Sequence, residues 1–209
     1  MHIPSSMLGG KICPVTAVVS VIGVVAAVFC AYRSKNKPSA GRFGAITALI
    51  FAGQMINFPI QNGTSGHLIG GVLAAVLLGP SFGVLAIALV VTIQCIVFSD
   101  GGFTVLGANV FNMAIIGAGL WGGLNALFSK NAGSRSSAHI AGLGIIAWFS
   151  VITAAFVCSV ELAASGTIEF SKVIPAILVL LFSANFFAAS IVFAFELHKV
   201  LIEESKNFS

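Results

Sequence analysis

Charge is scarce in this chain. Acidic residues number 6 and basic residues 10 among 209, so charged side chains make up only 8% of the sequence, where a soluble domain carries about a quarter. That shortage excludes a water-solvated globule. No hydrophilic stretch is long enough for a separate soluble domain, so residues 1–209 read as one integral-membrane domain. The four cysteines, Cys13, Cys30, Cys95 and Cys158, include no CxxC pair and read as small buried hydrophobes. A GxxxxGK[ST] loop is also missing, so the chain is not expected to hydrolyse ATP. Apolar residues, by contrast, make up 58% of the chain. The solvent for most of it is lipid.

A bilayer core takes about 20 apolar residues per helix. Seven runs qualify as candidates, at 13–32, 43–58, 67–79, 82–98, 104–128, 139–162 and 173–197. The expected fold is therefore an all-α polytopic bundle of about seven transmembrane helices. The third run is too short to cross upright. It is bounded by Gly66-His67 and Gly79-Pro80 and must tilt or lean on its neighbours at a widened polar site.

The net charge of +4 does not imply a nucleic-acid partner, because the basic residues sit in short loops and set orientation. Arg33, Lys35, Lys37 and Arg42 follow the first run, Lys130 and Arg135 the fifth, and Lys199 and Lys206 the seventh; only Lys11 and Lys172 fall on the other side. Eight against two is a positive-inside signal that puts the amino terminus outside and the carboxyl terminus in the cytoplasm. The first run is not read as a cleaved signal peptide. Its positive cluster follows the apolar stretch instead of preceding it.

That topology divides the four histidines by side. His2 and His67 share the outer face, while His139 and His198 are cytoplasmic. The terminal amine of Met1, the His2 amide once deprotonated and the His2 imidazole close small chelate rings in one plane. A fourth nitrogen from His67 would complete a square. Flat nitrogen coordination suits nickel(II) or copper(II) and fits calcium or magnesium poorly. Methionine is retained before a bulky residue such as histidine, so Met1 should persist, deformylated. Taken singly, His2 reads as a solvated terminal residue and His67 as a helix-start cap. Together in a very apolar chain they read as a site. Thr64 and Ser65 can bond a bound terminus, Asn57 can orient an imidazole, and Asp100 and Gln94 are weaker candidates. Small-residue stripes, Gly44-Ala48-Ala52 and Gly117, Gly119, Gly122-Gly123, suit close helix packing in lipid or docking on another membrane subunit.

Four stretches carry a family resemblance: Met1-His2-Ile3-Pro4, Gln54 through Ile60, Gly63-Thr64-Ser65-Gly66-His67-Leu68-Ile69-Gly70-Gly71, and Asp100-Gly101-Gly102 with Leu106 through Met113. Over about residues 1 to 125 the chain resembles the CbiM/NikM family, the substrate-binding membrane subunits (S components) of energy-coupling-factor transporters for cobalt and nickel. The resemblance implies an ion, Ni2+ or Co2+, carried as transported substrate and held by Met1, His2 and His67, with the amino-terminal segment tucked into the bundle from outside. It also implies partners: a transmembrane coupling subunit, ATPase subunits and sometimes a small accessory membrane protein, all in a prokaryotic plasma membrane. No organic cofactor is implied. Ser5-Ser6 departs from the acidic residue and glycine usual there, and the last run lacks the ending of many cobalt members, which favours nickel.

The rival from another class is an intramembrane serine protease. Gly63-Thr64-Ser65-Gly66 resembles the GxSG motif of rhomboids, but the histidines on other runs fall on the side opposite Ser65.

Overall fold

In the computed structural model, residues 2–56, 58–60, 64–132 and 137–169 are described. They form helices α1 (Ile12–Arg33), α2 (Ala40–Met55), α3 (Gly71–Leu78), α4 (Pro80–Phe98), α5 (Leu106–Val110), α6 (Trp121–Ala132) and α7 (Ser137–Ala164). A 3₁₀ turn at Phe103–Val105 leads into α5, and a π-helical stretch at Phe111–Leu120 joins α5 to α6. These last segments run together as one apolar rod, Phe103–Ser129.

Local chemistry sets the helix ends. Ser39 caps α2 by accepting the Arg42 N–H at 3.2 Å, and Pro80 starts α4 where its missing N–H costs nothing. At the far end of α4, Ser99 adopts a left-handed backbone (φ 54°). This turns the chain so that the Asp100 N–H returns to the Gln94 carbonyl at 3.1 Å.

Among the described residues four helical segments are long and apolar enough to cross a membrane: Ile12–Arg33, Pro80–Phe98, Phe103–Ser129 and Ala141–Ala164. They correspond to the first, fourth, fifth and sixth expected runs. The second run forms a 16-residue helix and the third only 8 residues of helix, roughly 12 Å long at 1.5 Å per residue. The seventh run, 173–197, lies outside the described residues. The described fold is helical as expected, with one short exception. Phe58–Ile60 pairs antiparallel with Thr64–Gly66 in a short ribbon, Phe58 opposite Gly66 and Ile60 opposite Thr64. A proline at position 59 ends the helical ladder before it can reach the end of the predicted run.

The core is built from side chains such as Ile3, Ile50, Ile87, Val90, Val91 and Met113. Outward surfaces are no less apolar. On α1, Val15, Val18, Ile22, Val25 and Phe29 are exposed, as befits a helix whose outer side meets hydrocarbon rather than water. Gly71 on α3 crosses Gly117 so closely that a Cβ would sit 2.5 Å from the Gly117 carbonyl carbon. The Gly117–Gly122 stripe therefore serves internal packing. Gly44, Ala48 and Ala52 face outward instead. Among the cysteines, Cys95 and Cys158 are buried, whereas Cys30 is exposed on α1.

Candidate metal-binding site

The amino-terminal segment does not trail into solvent. It enters the bundle as a strap, with His2, Ile3 and Leu8 all buried. One side chain holds its first part. Asn109, on α5, accepts the Ile3 N–H through Oδ1 at 2.8 Å and donates from Nδ2 to the Ile3 carbonyl at 3.3 Å. A primary amide offers one donor and one acceptor on adjacent atoms, so it can grip both main-chain groups of a single residue. Farther along, the Met7 N–H closes a turn on the Pro4 carbonyl at 3.0 Å. The Met7 carbonyl is held by Thr167 Oγ1 at 2.5 Å and Ser165 Oγ at 3.4 Å, beyond the end of α7.

This strap brings His2 onto His67. The two rings stack with centroids 4.7 Å apart and planes inclined by 26°. His67 lies between the ribbon and α3. Its Nδ1 is 2.8 Å from the Leu68 carbonyl oxygen. A carbonyl can only accept, so Nδ1 carries the hydrogen and Nε2 keeps a free lone pair. Among the described residues that Nε2 is buried without a well-aligned hydrogen-bond partner, and so are both ring nitrogens of His2. Buried orphan acceptors cost about 1–3 kcal/mol each, and such groups in a native fold call for a ligand or another explanation.

Burial lowers the His2 pKa to about 3 and holds His67 well below the ordinary imidazole range, with His2 itself adding to the second effect. Both rings are therefore neutral at pH 7, the state a metal ion requires. Asp100 Oδ2 lies 3.3 Å from His2 Nδ1, not aligned as a hydrogen bond. With His2 neutral this is a carboxylate beside an imidazole rather than an ion pair. Burial also raises the Asp100 carboxyl. The loop that carries Asp100 approaches closely because residues 101 and 102 are glycines with φ of +94° and +87°. A Cβ on Gly101 would meet Asn109 Nδ2 at 2.5 Å and His2 Cδ2 at 3.4 Å, and one on Gly102 would overlap Ser5.

His2 and His67 are thus brought together, while Met1 and Asn57 lie outside the described residues. Gln94 and Gln54 are both buried, Gln94 beside the His2 ring. Gln54 donates to the Ile69 carbonyl at 2.8 Å, and each keeps an unpartnered Oε1. Among the described residues no three His, Cys, Asp or Glu side chains converge on one point. The protease alternative gains nothing from this arrangement. His139 starts α7, about 37 Å along the helix from the Ala164 end that meets the strap.

Protonation and strap release are linked. His2 is lowered when buried and returns to about 6.5 when free, so the docked strap is favoured above pH 6.5 and loses ground as pH falls from there toward 3. For a single histidine the open fraction should rise about 30-fold between neutral pH and pH 5. Hydrogen exchange of the Ile3 amide, corrected for its intrinsic rate, should report that rise in the ion-free protein. A pH-independent corrected rate would show that His2 is not buried by the strap.

The chain is 39% identical over 165 residues to a putative fused nickel transport protein of Archaeoglobus fulgidus, covering 79% of this chain and 53% of that one. It is 38% identical over 154 residues to a putative metal transport protein of Haloquadratum walsbyi, covering 74% and 70%. It therefore spans only about half the length of the first of these relatives. The crystal structure of a transition metal transporter superposes with a TM-score of 0.83 at 27% identity, over 96% of this chain and 93% of that one. Residues 2–196 match the model of the CbiM family, described as the cobalt uptake substrate-specific transmembrane region, and with apolar membrane-length helices and a buried histidine pair the chain belongs to that family.

Proposed function

We propose that this chain is the subunit that captures Ni2+, or Co2+, for an ATP-driven transporter of the energy-coupling-factor type. The observation that carries the reading is the pair of stacked, neutral imidazoles with unpartnered nitrogens. Among the described residues those ring nitrogens have no well-aligned hydrogen-bond partner, and a borderline cation would take their lone pairs. The Met1 amine and the His2 amide nitrogen complete a planar set with His2 and His67, and of the two proposed cargoes such a set favours nickel over cobalt. Names of relatives support the cargo, since both nickel transport and transition metal transport occur among them.

In this reading the chain crosses the plasma membrane about seven times, with its strap outside and its carboxyl terminus in the cytoplasm, as the basic residues argue. The ion enters from outside and the strap closes over it. ATPase subunits, working through a transmembrane coupling subunit and sometimes a small accessory membrane protein, then drive the reorientation that releases the ion inside. This chain supplies the site and no hydrolysis.

Two preparations test the reading directly, one beginning at Met1 and one with a single alanine added before it. Nickel titrated into the first should bind with one-to-one stoichiometry and give the absorption spectrum of planar nitrogen-ligated nickel. The added residue converts the amine to an amide and moves the charge away, so affinity should fall on the order of a hundredfold, the scale of disturbing a metal's immediate surroundings. Equal affinity in both preparations would remove the amine from the site.

A further inference from the structure

Glu161 is a second polar feature that the histidine site leaves unused. It lies on α7, three residues before the helix ends at Ala164. Just beyond that end, Ser165 and Thr167 hold the strap at Met7. The carboxylate is 7% exposed, and its Oε2 accepts a hydrogen bond from Asn112 Nδ2 at 2.7 Å. Asn112 is fully buried. The other oxygen of each group, Glu161 Oε1 and Asn112 Oδ1, has no hydrogen-bond partner. Since the two polar atoms of an amide sit roughly 2.3 Å apart, Asn112 Oδ1 is within about 5 Å of the carboxylate. Two oxygens without a partner among the described residues, Glu161 Oε1 and Asn112 Oδ1, therefore lie in one enclosed place.

Among the described residues no cationic side chain forms an ion pair with Glu161. An acid without a counter-charge in a lipid-embedded bundle is costly, and such groups mark ion pathways. Its position fits a pathway. Asn112 comes three residues after Asn109, which grips Ile3, so the two asparagines lie about one turn apart on neighbouring positions of the same rod. Asn112 also opens the π-helical stretch Phe111–Leu120, a helix form found mostly at functional sites. Cys158, buried and free, precedes Glu161 by one turn on the same side of α7.

We propose that Glu161 and Asn112 form a second divalent-cation site, a transit station one helical turn beyond the strap that receives the ion when the histidine pair lets go. The identity of the ion rests on the function proposed above; the site itself rests on the oxygens. Its oxygen donors make it a weaker host for nickel or cobalt than a nitrogen square, as a station on a path must be.

The test uses the full chain with both His2→Ala and His67→Ala, titrated with Co2+ and read by calorimetry and absorption. Residual binding of one ion is expected, and adding Glu161→Gln should weaken it at least tenfold. Glutamine keeps an oxygen for the Asn112 N–H, so this variant removes charge while sparing the helix contact. Asn112→Ala, which removes an oxygen donor instead, should weaken the residual binding in the same direction. Absence of residual binding in a folded double-histidine variant, or residual binding indifferent to Glu161→Gln, overturns the transit site and leaves the histidine reading intact. Full wild-type affinity in the double variant, lost on Glu161→Gln, has the opposite meaning: the carboxylate is the main site and the histidine reading fails.

Discussion

Replacing His67 with alanine should abolish high-affinity nickel binding, with a loss of at least about a hundredfold, or roughly 2.7 kcal/mol, in a calorimetric titration. The reason is the tautomer. The Leu68 carbonyl takes the hydrogen on Nδ1 and so commits Nε2 to a lone pair with no partner among the described residues. Removing the ring removes that donor and the stacked support beneath His2. Stability should tell a different story. The ion-free protein now tolerates a buried, unsatisfied nitrogen, a burden of about 1–3 kcal/mol that alanine relieves. Against it stands the cavity left by the ring, of comparable size. The ion-free variant should therefore unfold within about 2 kcal/mol of the parent, while nickel, which stabilises the parent by mass action, should no longer raise its melting temperature. A variant that still gains stability from nickel as the parent does would remove His67 from the site.

Gly101→Ala should cost nearly as much without replacing a ligand. The residue has φ +94°, where an L side chain is strained by about 1–3 kcal/mol. The new Cβ would press on Asn109 Nδ2 at 2.5 Å. Either the loop retreats or the Asn109 amide rotates, and rotation sacrifices the two hydrogen bonds to Ile3, each worth about 0.5–1.5 kcal/mol. Both outcomes displace the strap and His2 with it. Nickel affinity should fall on the order of a hundredfold, and corrected exchange of the Ile3 amide should quicken. Asn109→Ala should share the exchange phenotype with a smaller loss, because it carries no loop strain. Parental affinity in Gly101→Ala would mean that the loop does not locate the strap.

Much of this was legible in the residues, for reasons that differ by element. The run 82–98 became Pro80–Phe98 because an uninterrupted apolar stretch between a proline and Ser99-Asp100-Gly101-Gly102 leaves few alternatives. The run 67–79 became helix only from Gly71. His67 to Gly70 stay non-helical, and Gly70 takes φ +71°, a conformation that sequence permits without announcing. The π-helical stretch has no compositional signature, since it arises from how the rod packs on its neighbours. His2 and His67 could be paired by topology because so few ionisable groups compete. Asn109 stood within a recognisable motif, but its role depends on Ile3, 106 positions away, and nothing local foretells it. Ser165 and Thr167 are likewise ordinary loop residues until the strap reaches them. Glu161 is different. A single acid near the end of an apolar run was visible in the sequence, and its isolation in lipid was the available signal.

The grip of Asn109 on Ile3 has a kinetic corollary. Because one amide fastens both main-chain groups of the residue adjoining His2, the imidazole cannot swing away while that fastening holds. Under the proposed function, release of the ion by the strap would wait on the breaking of those two hydrogen bonds. A catch of this kind can be tuned by substitutions at position 109 that never alter which metal is chosen.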